Sequence, residues 1–298
     1  MVGSFVFIYE FHMTPEQLRI FLAVADRAHV TRAAEALGLT QSAVSAALAT
    51  LERAHDVQLF DRIGRRIVLT AEGAAFVPEA RAALDRLEAA RAVLDDLGAR
   101  PQGLLRIWAS QTVASYWLPA LLVRFRATHP QVQLRLDVGN TAQVAGAVSA
   151  GAADLGFVEG AVSQGELRAR AVARDRLVLI GPAGQPLPTG AALARAPWIL
   201  REDGSGTRSV TIEALDRLGI DTAALEVVLE LPSNEAVLAA VAAGGGISAL
   251  SERVAEHAVA SGAVTLAPLP GAERPFTALS HPERHRTRAM AAFLELAG

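Results

Sequence analysis

From about residue 104 of this 298-residue chain onward, hydroxyls, amides and arginines recur where an apolar run stops and a helical pattern starts. Ser110-Gln111-Thr112, Asn140-Thr141 and Glu159 each follow such a run. Arg201-Glu202-Asp203-Gly204-Ser205-Gly206-Thr207-Arg208 leads into a helix, and Ser233-Asn234 into another. This chemistry suits an anion, because the free amides and the dipole of a helix start favour negative charge and an arginine supplies a countercharge. The same residue types serve as ordinary helix caps, and a single junction would mean no more than that. Several junctions converging on one cleft favour a ligand. The candidate residues are Ser110, Thr112, Asn140, Thr141, Glu159, Arg201, Ser205, Thr207, Arg208 and Asn234, with Arg208 slightly preferred over Arg201 as the countercharge.

A second chemistry stands near the start. Ala33, Ala34 and Leu37 precede Gly38, and Val44, Leu48 and Leu51 follow it, so two short helical patterns flank a residue that can take the left-handed conformation ending a helix. Thr40 stands at the N-cap position of the second helix. This spacing is that of a helix-turn-helix, whose second helix enters the major groove of DNA. Thr40, Gln41, Ser42 and Ser45 lie at the exposed start of that helix, with Thr31, Arg32 and Arg53 nearby as further candidates for touching DNA. Leu59 to Thr70 reads as two short strands around a Gly-Arg-Arg tip, a wing whose Arg62, Arg65 and Arg66 would reach phosphates.

These groups need a frame. Thr14-Pro15-Glu16-Gln17 is a capping box with proline at the first helical position, opening a helix whose Leu18, Phe21, Leu22 and Ala25 complete a three-helix core. Ala71 to Leu97 reads as one long helix, bent by Pro78. Its stripe of Ala80, Leu84, Leu87, Ala90, Leu94 and Leu97 suits a two-stranded seam better than packing into a globular core, the alternative being a helix that lies on its own domain. Gly98 to Gly103 forms a hinge. From Leu104 onward strands and helices alternate, which predicts a parallel sheet with helices on both faces. Strands are expected at 104–109, 133–138, 155–158 and 177–180. Helices are expected at 117–128, 142–150, 209–218, 234–243, 251–260 and 287–296, the last returning to the first lobe.

The residues Leu18, Phe21, Ala33-Ala34, Leu37, Thr40 to Ser45, Leu51-Glu52, Leu59-Phe60, Arg62, Leu69-Thr70 and Gly73 resemble the LysR-type transcriptional regulators at that family's spacing. Ala46 and Ala47 depart from the Arg, Gln or His that many members carry there, which shifts readout toward thymine methyls and DNA shape. The resemblance covers the whole chain. It implies an α/β protein with a helical winged helix-turn-helix domain and a two-lobed, periplasmic-binding-protein-like effector domain. The implied divisions are an N-terminal extension at 1–12, the DNA-binding domain at 13–70, a dimerisation helix at 71–98 and an effector domain at 99–298. Lobe I then covers about 104–177 and 275–298, and lobe II about 178–274. In the family the long helix pairs antiparallel with its copy, giving Ala80, Leu84, Leu87 and Leu94 a dimerisation role. Double-stranded promoter DNA, a small anionic effector and a homodimer or homotetramer are the implied partners. Gly204 to Arg208, with Asn234-Glu235-Ala236, most resembles the branch regulating sulfur assimilation and carbon fixation.

Other classes fit poorly. No Gly-Lys-Ser/Thr phosphate loop and no Gly-x-Ser-x-Gly elbow occurs, so no enzyme activity and no cofactor are expected. His281 and His285 lack an evident third ligand, and with no cysteine there are neither disulfides nor thiolate metal sites. The net charge of −3 is not that of a globally basic DNA-binding protein. Residues 14–70 hold seven arginines against six acids, so affinity rests on local placement and on two copies in a dimer. Residues 1–12 lack a basic start and a cleavage site, and no apolar run is long enough to span a membrane, so a cytoplasmic location is expected. The competing reading is a solute-binding or enzymatic α/β domain with no DNA role; a binding protein would carry an export signal in place of residues 14–70.

Overall fold

A computed structural model describes residues 13–63, 66–96, 103–160 and 167–298. The chain divides into two units at Arg91 and Ala92.

In the first unit, α1 (Pro15–Arg27) starts at Thr14. Its hydroxyl accepts from the Gln17 amide, and the Gln17 side chain accepts from the Thr14 amide in return. The next helix, α2 (Val30–Leu37), ends at Gly38, whose φ of 67° is open to glycine at little cost. Then α3 (Gln41–His55) starts at Thr40, whose hydroxyl accepts from the Ala43 amide at 3.2 Å. Leu18, Phe21, Ala33, Ala34, Val44, Leu48 and Leu51 bury the facing sides of the three helices. The wing is an antiparallel pair, β1 (Phe60–Ile63) and β2 (Arg66–Leu69), with Phe60 opposite Leu69. Its tip, Gly64-Arg65, lies outside the described residues, as do the side chains of Arg62 and Arg66.

One continuous helix, α4 (Ala71–Asp96), runs through Pro78. Part of its apolar stripe packs on its own unit, which corrects the expectation of a single seam along the whole stripe. Ala80 is 1% exposed within its own unit, and Phe76, Val77 and Leu84 pack against the same core. Ion pairs from Arg81 to Asp26 and from Arg19 to Glu88 (3.4 Å) fasten the helix to α1. Leu87 and Leu94 remain 47% and 69% exposed, so only the far part of the stripe is free for another chain. Leu97 lies outside the described residues.

The second unit runs β3 (Gly103–Ser110), α5 (Gln111–Tyr116), α6 (Leu118–Thr128), β4 (Val132–Gly139), α7 (Thr141–Ala150), β5 (Leu155–Glu159), β6 (Arg168–Pro182), β7 (Pro197–Arg201), α8 (Gly206–Arg217), β8 (Glu226–Leu231), α9 (Asn234–Ala242), β9 (Ser248–Ser251), α10 (Glu252–Ala260), β10 (Val264–Ser280) and α11 (Arg288–Ala297). Its six-stranded sheet has the order β4-β3-β5-β10-β6-β9. The sheet is mixed, not parallel as the alternation suggested. β3 lies parallel to β4 and β5, whereas β10 runs antiparallel to β5 and β6, and β9 antiparallel to β6. The long strands β6 and β10 pass through both lobes, pairing from Val264–Pro182 to Ser280–Arg168. A parallel pair, β7 and β8, extends the second lobe through a bridge from Trp198 to Ile247. As expected, α11 returns to the first lobe, where Phe293 packs edge-on against Phe125 and Phe157.

Candidate functional site

The candidate DNA-contacting face is exposed because α3 turns its apolar side inward. Val44, Leu48 and Leu51 are buried, which leaves Thr40, Gln41 and Ser42 exposed and Ser45 half-buried at its N-terminal end. The Thr40 and Ser42 hydroxyls lie 3.0 Å apart. Arg32 and Arg53 are exposed and Thr31 is half-buried. Glu52, one turn from the end of α3, accepts from the backbone amides of Leu59 (2.8 Å) and Phe60 (3.2 Å), so a carboxylate on the recognition helix hangs the wing. Thr70 closes the other side, donating to the Gln58 carbonyl at 2.7 Å and accepting from the Gly73 amide at 2.9 Å. Leu51-Glu52 and Leu69-Thr70 thus hold the wing against the helix. Arg65, the central wing candidate, lies outside the described residues.

In the second unit the ten candidate residues come together, and most are buried. Ser110, at the end of β3, donates to the Glu159 carboxylate at the end of β5. Thr141 donates to the Glu159 carbonyl at 2.9 Å, and Thr207 meets the other carboxylate oxygen at 3.5 Å. Asn234, opening α9, donates to Thr112 at 3.1 Å and accepts from Arg201. Asn140 reaches across to the Glu202 carboxylate (3.4 Å) and the Asp203 carbonyl (3.3 Å). Each bond except that of Arg201 to Asn234 and those of Ser110 and Thr141 to Glu159 crosses from one lobe to the other. Gly206 permits this closeness: a Cβ there would stand 1.9 Å from the Glu159 carbonyl oxygen and 2.5 Å from the Thr141 hydroxyl.

Both arginines named as countercharges are already matched, which sequence reasoning did not foresee. Arg201 is held by Glu202 (2.7 and 3.0 Å) and Asn234. Arg208, the preferred one, pairs with Glu230 and donates to the Arg201 carbonyl at 2.9 Å. A third guanidinium, Arg274 on β10, was missed. It is buried, donates to Thr207 at 3.1 Å, lies 3.8 Å from the Glu159 carboxylate and pairs with Asp175 at 2.7 Å. Asp175 also accepts from Ser251 at 2.7 Å. The available signal was a charged residue beside the apolar run Pro275-Phe276-Thr277-Ala278-Leu279. Gln111, named at the first junction but not among the ten candidates, also takes part. It accepts from the Asn234 amide at 2.7 Å and donates to Glu235 at 2.9 Å. Burial pushes the Tyr116 phenol, at the end of α5, above its ordinary value, and the Glu235 carboxylate across the cleft adds to the rise.

One open cavity borders this network. A cavity of about 1210 Å³ is bordered by α10 and the crossing strands, with Arg174, Arg253, Val259 and Leu266 on its walls and Arg274 and Asp175 at its inner side. The converging polar chemistry itself lies where the lobes close on their own side chains, and the cavity reaches it at Arg274 and Asp175. Among the described residues no group of three or more histidines, aspartates or glutamates could hold a metal ion, and no helix is long and apolar enough to cross a membrane.

Residues 15–74 match the bacterial regulatory helix-turn-helix protein, lysR family, and residues 98–298 match the LysR substrate binding domain. The chain is 38% identical over 291 residues to an HTH-type transcriptional regulator, YeiE, of Escherichia coli K12, covering 95% of this chain and 97% of that one. It is 35% identical to a RuBisCO operon transcriptional regulator of Allochromatium vinosum, covering 80% of each. In structure it resembles full-length CbnR, solved with its target DNA, at a TM-score of 0.71 and 23% identity over 96% of this chain and 99% of that one. A capped recognition helix with its wing, a two-lobed domain closing on polar side chains, and these matches over nearly the whole length agree: the chain belongs to the LysR family and is a transcriptional regulator, not an enzyme.

Proposed function

We propose that this regulator binds double-stranded promoter DNA through α3 and the wing, and that a small anionic effector seated between the lobes of its second unit adjusts that binding. The observation that carries the reading is the direct meeting of Thr112 with Asn234 and of Glu159 with Thr207 across the cleft. Groups that bond across two lobes couple lobe orientation to whatever replaces or joins them, so a ligand with different affinity for the open and closed arrangements shifts their populations. The DNA residues are Thr31, Arg32, Thr40, Gln41, Ser42, Ser45, Arg53, Arg62, Arg65 and Arg66. The effector residues are those of the cleft network, with Arg274 and Gln111 added. We place the DNA-binding domain at 13–70, the linker helix at 71–98 and the effector domain at 99–298. The regulator works in the cytoplasm as a homodimer or homotetramer joined through the exposed part of α4. CbnR has been solved in complex with its target DNA, which supports the first half of this reading.

Two titrations test it. Replacing Arg65 and Arg66 by alanine lowers affinity for all sequences alike and reduces the salt slope by roughly one for each phosphate left without its arginine; an unchanged slope removes the wing from the interface. Calorimetry of sulfate and phosphate on the wild-type chain and on Thr112→Val tests the cleft. The substitution takes away the partner of the Asn234 amide and weakens binding. Equal binding by both chains removes Thr112 from the site.

A further inference from the structure

The donors best placed for an entering anion are already serving one. Glu159 is 2% exposed, and its two carboxylate oxygens take the hydroxyls of Ser110 from one lobe and Thr207 from the other. Behind Thr207 lies Arg274, 3.8 Å from the same carboxylate, with a side chain only 1% exposed. Around this centre every guanidinium is matched: Arg201 by Glu202, Arg208 by Glu230, and Arg274 by Asp175 and Glu159. An anion entering between Ser110 and Thr207 meets a buried like charge and no idle cation. In a low-dielectric interior that repulsion is far stronger than in water.

We infer that Glu159 is a resident internal anion: its carboxylate occupies the oxyanion subsite of the cleft, and an effector anion binds by displacing it from Ser110 and Thr207. Glu159 is then the residue that sets effector affinity, as a competitor for the hydroxyls and not as a group that touches the effector. The displaced carboxylate gives up its cross-lobe bond to Thr207, while the newcomer takes over both hydroxyls and the partial charge of Arg274. No covalent bond changes; one anion replaces another. Selectivity follows from geometry. A tetrahedral oxyanion or terminal carboxylate can offer two oxygens to two hydroxyls, as Glu159 does, whereas a neutral polar ligand gains nothing from Arg274 and cannot displace a carboxylate.

This rests on the anionic-effector reading above, and the test separates the two. The full-length chain is titrated with sulfate and with phosphate by calorimetry, as wild type, Glu159→Gln and Glu159→Asp. The amide of glutamine has the same shape without the charge, so Glu159→Gln binds the anions at least tenfold more tightly. Glu159→Asp keeps the charge and shows no such gain. Anions bound by wild type but no better by Glu159→Gln overturn the internal-anion proposal and leave the effector reading standing. Anions bound by neither chain overturn the effector reading itself. Should Glu159→Gln melt early, Glu159→Ala removes the same charge and carries the same comparison.

Discussion

Glu52→Ala strips the partner from two backbone amides of the wing, those of Leu59 and Phe60, which are held at 2.8 and 3.2 Å. Both residues are buried, so water cannot readily replace the carboxylate. A buried amide left unpaired costs roughly 1–3 kcal/mol, so the pair costs about 2–6 kcal/mol. For a unit of this size each kcal/mol lowers the midpoint of thermal unfolding by about 4–8 °C. The first unit of Glu52→Ala therefore melts roughly 8–48 °C below wild type. Glu52→Gln keeps an acceptor oxygen at the same place, loses only the charge and falls between the two. Calorimetric scans of all three chains follow the transition of the first unit, which is the one that shifts. Hydrogen exchange at Leu59 and Phe60 shows whether the wing has come loose, and specific DNA affinity falls in the same order. If Glu52→Ala melts within a degree or two of wild type with both amides still protected, the wing is not hung from α3 in the way described.

Gly206→Ala should force the lobes apart, because its Cβ would stand 1.9 Å from the Glu159 carbonyl, while alanine itself suits a helix better than glycine. Small-angle scattering should show a larger effector domain of undiminished helix content, and an unchanged radius would refute the clash. Leu87→Glu with Leu94→Glu places charges on the exposed stretch of α4 and should dissociate the oligomer in light scattering while the chain keeps its helix content by circular dichroism, since neither leucine is in the core; an intact oligomer would locate the seam elsewhere. Tyr116 should titrate above the ordinary phenol range when followed by ultraviolet absorbance, and Glu235→Gln should bring its midpoint down. The sign is that of a raised acid: the folded chain prefers the neutral phenol, so this contribution is complete below the ordinary phenol value. It is lost as pH climbs past that value toward the raised one. A midpoint unmoved by Glu235→Gln would mean that the two groups do not meet across the cleft.

The sequence by itself determined the first unit almost to the residue. Caps at Thr14 and Thr40, a left-handed stop at Gly38 and apolar residues at helical spacing act over a few residues, so the helices that present Thr40, Gln41 and Ser42 need no distant information. It also determined which side chains of the second unit gather, because strand ends and helix starts in an α/β chain collect at one edge of the sheet. Tertiary structure decided how those groups are used. Arg208 could not be seen to pair with Glu230, nor Arg274 to reach Thr207 and Asp175, because those partners lie 22, 67 and 99 residues away. Of β6 only the apolar stretch 177–180 was legible, and β10 escaped the pattern, because their outer segments carry exposed charges at Arg168, Arg170, Arg174 and Glu273; it is their antiparallel pairing that brings Arg274 beside Asp175. The stripe on α4 shows the same limit. Helical periodicity fixes which residues share a face, but whether that face meets its own domain or another chain depends on what lies opposite. Here α1 lies opposite Ala80 and Leu84, fastened there by the ion pair between Asp26 and Arg81.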